Sequence, residues 1–191
     1  MNRKSESTNE REKLPKGQLS VYKEKDIFFA GHAGLAGTEK LIRENKKELL
    51  ERYPEGFLEE ACEIFLRESA LGFEDKAENA GVLWQSCCGR GGILEALYLM
   101  CRELSLGIYV DLQSVPMLWQ TIELGEFFEK NPYAFSSEGC ILGITSDYSG
   151  TKRLYEELGF NIEIIGRTTA DKTKILKRGD EEGNLNRPGR N

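Results

Sequence analysis

Two glycine-rich stretches hold most of the residues in this sequence that could do chemistry. The first is Gly31-His32-Ala33-Gly34-Leu35-Ala36-Gly37-Thr38, and the second is Ser86-Cys87-Cys88-Gly89-Arg90-Gly91-Gly92. A glycine-rich turn between a strand and a helix leaves backbone N–H groups free with a helix dipole behind them, which suits phosphate. In the first stretch Gly34, Gly37 and Thr38 are the candidates for that role. The stretch lacks the Gly-Lys-Ser/Thr ending of a P-loop, so a tight turn that lets the helix pack on the strand is the simpler reading. His32 is the sole histidine. It could contact a ligand or act as a general base. No second histidine and no Asp or Glu partner is evident, so a structural or solvent-exposed role is the simpler reading.

In the second stretch Arg90, with Gly91 and Gly92, is the candidate for an anion contact, because a guanidinium grips carboxylate or phosphate in a two-pronged geometry. The alternative is a surface arginine paired to a nearby glutamate. Cys87 and Cys88 beside Arg90, ahead of a helix, could include a thiol of lowered pKa. Such a thiol could carry sulfur, be modified or bind a soft metal. Two small core residues are the simpler reading. A four-ligand zinc site needs more partners than this segment offers, and no metal site is expected. The catalytic candidates therefore reduce to Cys87, Cys88 and His32.

The elements that must position these residues alternate between strand and helix. Asp26–Ala30 is a short apolar run that stops at a glycine, as a buried strand does. Thr38 sits where a helix N-cap belongs, with a helix over 39–52. Phe57, Leu58, Ala61, Cys62, Phe65 and Leu66 then recur at helical spacing. Val82–Trp84 reads as a strand, Ile93–Leu104 as a one-faced helix and Gly107–Leu112 as a strand. Pro116 suits the first turn of a helix continuing through Phe127 and Phe128 to Asn131-Pro132. Residues 140–144 form a strand, 151–158 a helix and 161–165 a strand, and 173–176 is expected at a sheet edge. Cys62, Cys101 and Cys140 read as core, as do Trp84, Trp119, Phe127, Phe128 and Tyr133. This order implies an α/β layered sandwich with a mixed sheet flanked by helices.

Composition narrows the function. The 191 residues carry 26 Lys+Arg against 32 Asp+Glu, a net charge of -6, which disfavours a protein that binds nucleic acid by neutralising phosphates. No run approaches the length of a membrane span, and Met1–Glu12 has no apolar signal core. Five cysteines without a secretory signal point to reduced thiols and a cytoplasmic location. Residues 1–17 and 179–191 are polar and lack the apolar groups that offset ordering entropy. They are expected to be a mobile tail and a polar C-terminal tail around a domain at 18–178.

The middle of the chain carries a resemblance. Asp111-Leu112, Val115-Pro116, Thr121, Glu126-Phe127-Phe128, Asn131-Pro132-Tyr133, Ser136-Ser137 and Gly139 together resemble the C-terminal domain of the aminoimidazole ribonucleotide synthase-related (PurM-like) superfamily, in its hydrogenase maturation factor-like branch. Gly34–Thr38, Tyr53–Leu58, Gly91-Gly92 and Ile164-Ile165-Gly166 agree in order and spacing, so the resemblance spans about residues 26–178. It implies an α/β sandwich related to the ferredoxin-like fold, whose glycine loops close an active-site cleft. The superfamily includes the purine-pathway cyclo-ligase, thiamine monophosphate kinase, selenophosphate synthetase and the hydrogenase cyanide-ligand enzyme. In these proteins an N-terminal domain carries the acidic residues for Mg²⁺ and ATP.

Three departures shape the expected function. About 25 polar residues precede the first strand, too few for the N-terminal domain, and Mg²⁺ held with phosphates needs carboxylates. Active relatives carry a loop like His-Asp-Val-Thr-Glu-Gly-Gly, where this chain reads Ser86, Cys87, Cys88, Gly89, Arg90, Gly91 and Gly92. The substitutions remove an imidazole and a hard oxygen ligand and reverse one charge. The cyanide-ligand enzyme uses a C-terminal cysteine, and no cysteine follows Cys140 here. The expectation is a stand-alone C-terminal-like domain without ATP-dependent catalysis of its own. It would bind a small anionic ligand or a partner, and would cover its exposed apolar surface by self-association or another chain. One alternative is half of a split ATP-dependent enzyme, closed by Gly34, Gly37, Arg90, Gly91 and Gly92, with Mg-ATP supplied through a separate chain. A second is thiol chemistry at Cys87 or Cys88. No cofactor is expected for the isolated chain, and neither nucleic acid nor a membrane is an expected partner.

Overall fold

The computed structural model describes residues 19–69 and 80–187. The strands are β1 (Asp26–Ala30), β2 (Val82–Cys87), β3 (Gly107–Asp111), β4 (Ile141–Thr145), β5 (Ile162–Thr169), β6 (Lys174–Arg178) and β7 (Glu181–Asn184). The helices are α1 (Leu35–Leu49), α2 (Glu55–Ser69), α3 (Gly92–Leu104), α4 (Trp119–Phe127) and α5 (Tyr148–Glu157). All seven strands form one sheet in the order β2-β4-β1-β5-β3-β6-β7. Neighbours run antiparallel except β3 and β6, which are parallel. The sheet is mixed, as expected.

Alternation along β1 explains the layers. Successive side chains point to opposite faces of a strand. Ile27 and Phe29 enter the core formed with Ile93, Leu97, Met100 and Leu104 of α3. Phe28 and Ala30 enter the core of the other face, with Tyr155 of α5 and Phe160. Both faces are covered, so β1 reads as an unbroken apolar run. A third cluster joins α1, α2 and α4 through Leu35, Ile42, Leu49, Leu58, Ala61 and Leu124.

Several boundaries differ from the sequence expectation. The N-cap of α1 is Gly34, not Thr38, which lies one turn inside the helix and donates its hydroxyl to the Gly34 carbonyl at 2.9 Å. β2 runs to Cys87, so Ser86 and Cys87 are strand residues and the glycine loop begins at Cys88. Pro116 precedes α4 rather than opening it. β6 is not an edge, because β7 pairs outside it. The polar run after Gly179 thus contributes a strand, and Leu185 behind it is buried in the main core. One apolar residue and a ladder of backbone hydrogen bonds were enough to order a segment that composition reads as a tail. Trp119 is 63% exposed, against the expectation of a core aromatic. Cys101 and Cys140 are buried, whereas Cys62 is half-buried. The tail expected at 1–17 lies outside the described residues.

Candidate functional site

Three connections meet at one end of the sheet: β1 to α1, β2 to α3, and the approach to β4 through Phe135–Cys140. The first is closed by hydrogen bonds. Gly31 N–H donates to Asn161 O, Ala33 N–H to Pro116 O, and Gly37 N–H to Ser136 O at 2.9 Å. Gly34 N–H donates to Ser137 Oγ at 2.9 Å. Gly34 adopts φ +77°, and a Cβ there would stand 2.8 Å from Thr121 Cγ2 and 3.0 Å from Pro132 O. Thr38 is fully buried, and its hydroxyl also reaches Thr121 Oγ1 at 2.8 Å. The donors expected to face a phosphate are therefore used to hold the loop itself.

The second connection is more open. Arg90 is 91% exposed and its Nε lies 3.7 Å from Glu138 Oε1. That pair is worth well under about 1 kcal/mol at such exposure. Gly91 N–H donates to Glu95 Oε2 at 3.2 Å. Gly92, at φ +67°, packs with its Cα against Tyr133 and Phe135; an added Cβ would fall 2.5 Å from each of their carbonyl oxygens. Of the sequence candidates, Gly37 and Arg90 line a shared groove of about 960 Å³. Lys40, Lys130, Asn131 and Ser136 join them there, with Glu44 and Glu138 as the acidic members. Gly34, Thr38 and Gly92 are structural supports behind it.

The cysteines divide by environment. Cys87 is exposed at the end of β2, and partial burial raises its thiol pKa. Cys88 lies opposite Cys140 and donates its backbone N–H to Cys140 O at 2.9 Å. Burial pushes Cys88 up to about 12 and Cys140 well above the usual thiol range. The thiolate is the reactive form, so these surroundings oppose thiol chemistry at Cys88 and give Cys87 no activation. Among the described residues no group of three or more His, Cys, Asp or Glu side chains is placed to hold a metal. None of their helices is long and apolar enough to cross a membrane.

His32 has a partner that the sequence reading missed. Glu68, on the last turn of α2, accepts from the His32 backbone N–H at 3.1 Å and pairs through its other oxygen with the ring Nδ1. Glu68 is 7% exposed. A signal was present: buried Leu58 and Ala61 and half-buried Phe65 form the inward stripe of α2, and Glu68 continues that stripe at helical spacing. A carboxylate on an apolar stripe requires a buried partner. Lys40 and Lys130 gave no such signal, because only folding brings them to the same groove.

No family model matches the chain, and no curated protein matches it. Solved structures do. A chain of a HypE–HypF complex superposes with a TM-score of 0.62 at 19% identity, over 87% of this chain and 54% of the other. The hydrogenase maturation protein HypE of E. coli gives 0.64 at 16% identity, over 90% and 52%. Thiamine-monophosphate kinase of Stenotrophomonas maltophilia K279a gives 0.56 at 18% identity, over 83% and 51%. This chain thus spans about half the length of each. At such identities the likeness establishes the fold, which is that of the PurM-like C-terminal domain, in line with the resemblance carried by the motifs.

Proposed function

We propose that this chain is a ligand- or partner-binding module on the PurM-like C-terminal fold, with no ATP-dependent catalysis of its own. The groove carries the reading. Lys40, Arg90 and Lys130 reach it from α1, the second glycine loop and the end of α4, and such a set of cations favours a small anionic ligand. The first glycine loop has already donated the N–H groups of Gly34, Gly37 and Thr38 to the protein. Calorimetric titration with pyrophosphate, and separately with Mg-ATP, tests this. Pyrophosphate is expected to bind with a Kd below about 1 mM, near -4 kcal/mol, and Arg90→Glu with Lys130→Glu is expected to abolish the heat. Absence of binding at high protein concentration overturns the anion reading. Binding of Mg-ATP unaffected by the two substitutions overturns the non-catalytic reading.

A second reading follows from coverage: the solved counterparts are about twice as long as the matched region. This chain would then be one half of a split enzyme, completed by a chain that supplies the nucleotide half. Leu66 on α2 and Trp119 on α4, both more than half exposed, are apolar contacts for that chain or for a second copy. HypE in one counterpart was solved with HypF, and a partner protein is the corresponding expectation here. Sedimentation across a wide concentration range checks self-association, and co-purification with a neighbouring-gene product checks the split enzyme.

A further inference from the structure

Glu68 is the sole buried carboxylate among the described residues, and both of its oxygens serve one residue. Oε2 accepts from the His32 backbone N–H and Oε1 meets the ring at Nδ1. A carboxylate can only accept, so a neutral imidazole in this geometry carries its proton on Nδ1. The hydrogen bond at one ring nitrogen sets the state of the other. Nε2 then holds a lone pair. No described residue bonds to Nε2, and no buried polar side-chain atom among the described residues lacks a partner. Among the described residues Nε2 is thus left unbonded, and the side chain keeps 18% exposure. The backbone behind the ring is fixed as well: Cys140 donates its thiol proton to the His32 carbonyl at 3.3 Å, and Ala33 N–H is held by Pro116. An oriented ring, a defined tautomer and an unbonded lone pair together make a proton acceptor.

We propose that His32 and Glu68 form a proton-accepting site. His32 Nε2 is the acting atom, Glu68 is the positioning residue, and the ligand is one that presents a polarised O–H or N–H to the β1–α1 loop. The site is independent of the anion groove, because His32 does not line it; failure of the groove reading leaves this one standing, and the reverse holds too.

The sequence makes the test direct, because His32 is the only histidine and so the sole source of imidazole ¹⁵N signals. The wild-type protein at mildly alkaline pH is expected to show Nδ1 protonated and Nε2 bare. A ring protonated at Nε2 instead, or one still doubly protonated there, overturns the proposal. Glu68→Gln sharpens it. The glutamine side chain has one acceptor end and one donor end. With its oxygen on the His32 backbone N–H, its NH₂ faces Nδ1 and requires Nδ1 to accept, which moves the ring proton to Nε2. The variant is expected to flip the tautomer; retention of the Nδ1 proton overturns the role of Glu68. Diethyl pyrocarbonate supplies a chemical readout, because it acylates a bare imidazole nitrogen. Wild-type His32 is expected to react in the folded protein, and reaction is expected to be lost in Glu68→Gln. A wild-type ring that reacts only after unfolding also overturns the proposal. The wild-type measurements decide the matter even if the variant does not fold.

Discussion

The two glycine-rich loops look alike in sequence and differ at their tips: the first is filled throughout, whereas the second is packed at Gly92 and open at Gly89 and Arg90. In the first, the N–H groups of Gly31 through Leu35, of Gly37 and of Thr38 end on protein acceptors, and the glycines allow close approach of the Phe135–Ser137 segment. In the second, Arg90 stands in solvent and a Cβ at Gly89 would meet nothing within 4 Å. Glycine content reports that backbone must pass close to something or turn sharply. It does not report whether that something is a ligand or the protein itself. Here the first loop is a structural joint and the second is a rim.

The largest effect that separates the loops is steric. Gly34→Ala puts a methyl at φ +77° against Thr121 and the Pro132 carbonyl, which should cost about 3 kcal/mol. Urea denaturation would report a lowered midpoint. A change under about 0.5 kcal/mol would mean the first loop yields, and the contrast with the second would collapse.

Alkaline pH probes the root of the second loop. The folded-state pKa of Cys88 is raised, from 9.0 to about 12, by burial. The folded protein therefore holds that proton when the unfolded chain has released it. The stabilisation is complete below about pH 9 and falls from there toward pH 12, by about 1.4 kcal/mol per pH unit. Stability curves measured across that window should flatten in Cys88→Ala. An unchanged slope would place the titration elsewhere.

Thr38→Val keeps the shape of the first joint and removes its hydroxyl. It deprives buried Thr121 Oγ1 of its hydroxyl partner, while the Gly34 carbonyl keeps the Thr38 backbone N–H; the cost should be about 1–3 kcal/mol. The smallest effect is expected at the rim: Gly89→Ala should change stability by less than about 0.5 kcal/mol. A larger loss there would show the second loop to be packed in solution.

Much of the fold was legible because it rests on local periodicity. β1, α3 and β3 announce themselves through apolar runs and one-faced spacing, with Gly31 just past the end of β1 and Gly107 at the start of β3. β7 escaped notice because Glu181–Asn184 is wholly exposed, so no apolar alternation marks it; pairing with β6 and burial of Leu185 create it. The cap of α1 departs from the sequence expectation for a related reason. Thr38 has the right side chain for an N-cap, but Gly34 begins the helix because only it tolerates the left-handed backbone crowded by Thr121 and Phe135.

The candidate site divides along the same line. Residue types and order along the chain established by themselves an α/β body, two glycine turns, a lone imidazole and the motifs of a PurM-like C-terminal domain. These depend on neighbours within a few residues, where spacing carries the information. Only the tertiary structure decided that the first turn is filled by the protein and that the second is open at Gly89 and Arg90. It brought Glu68 to His32 across 36 residues and gathered Lys40, Arg90 and Lys130 around one groove. The physical reason is that a hydrogen bond or a charge contact acts over a few ångströms, and the chain distances that folding closes leave no period in the sequence.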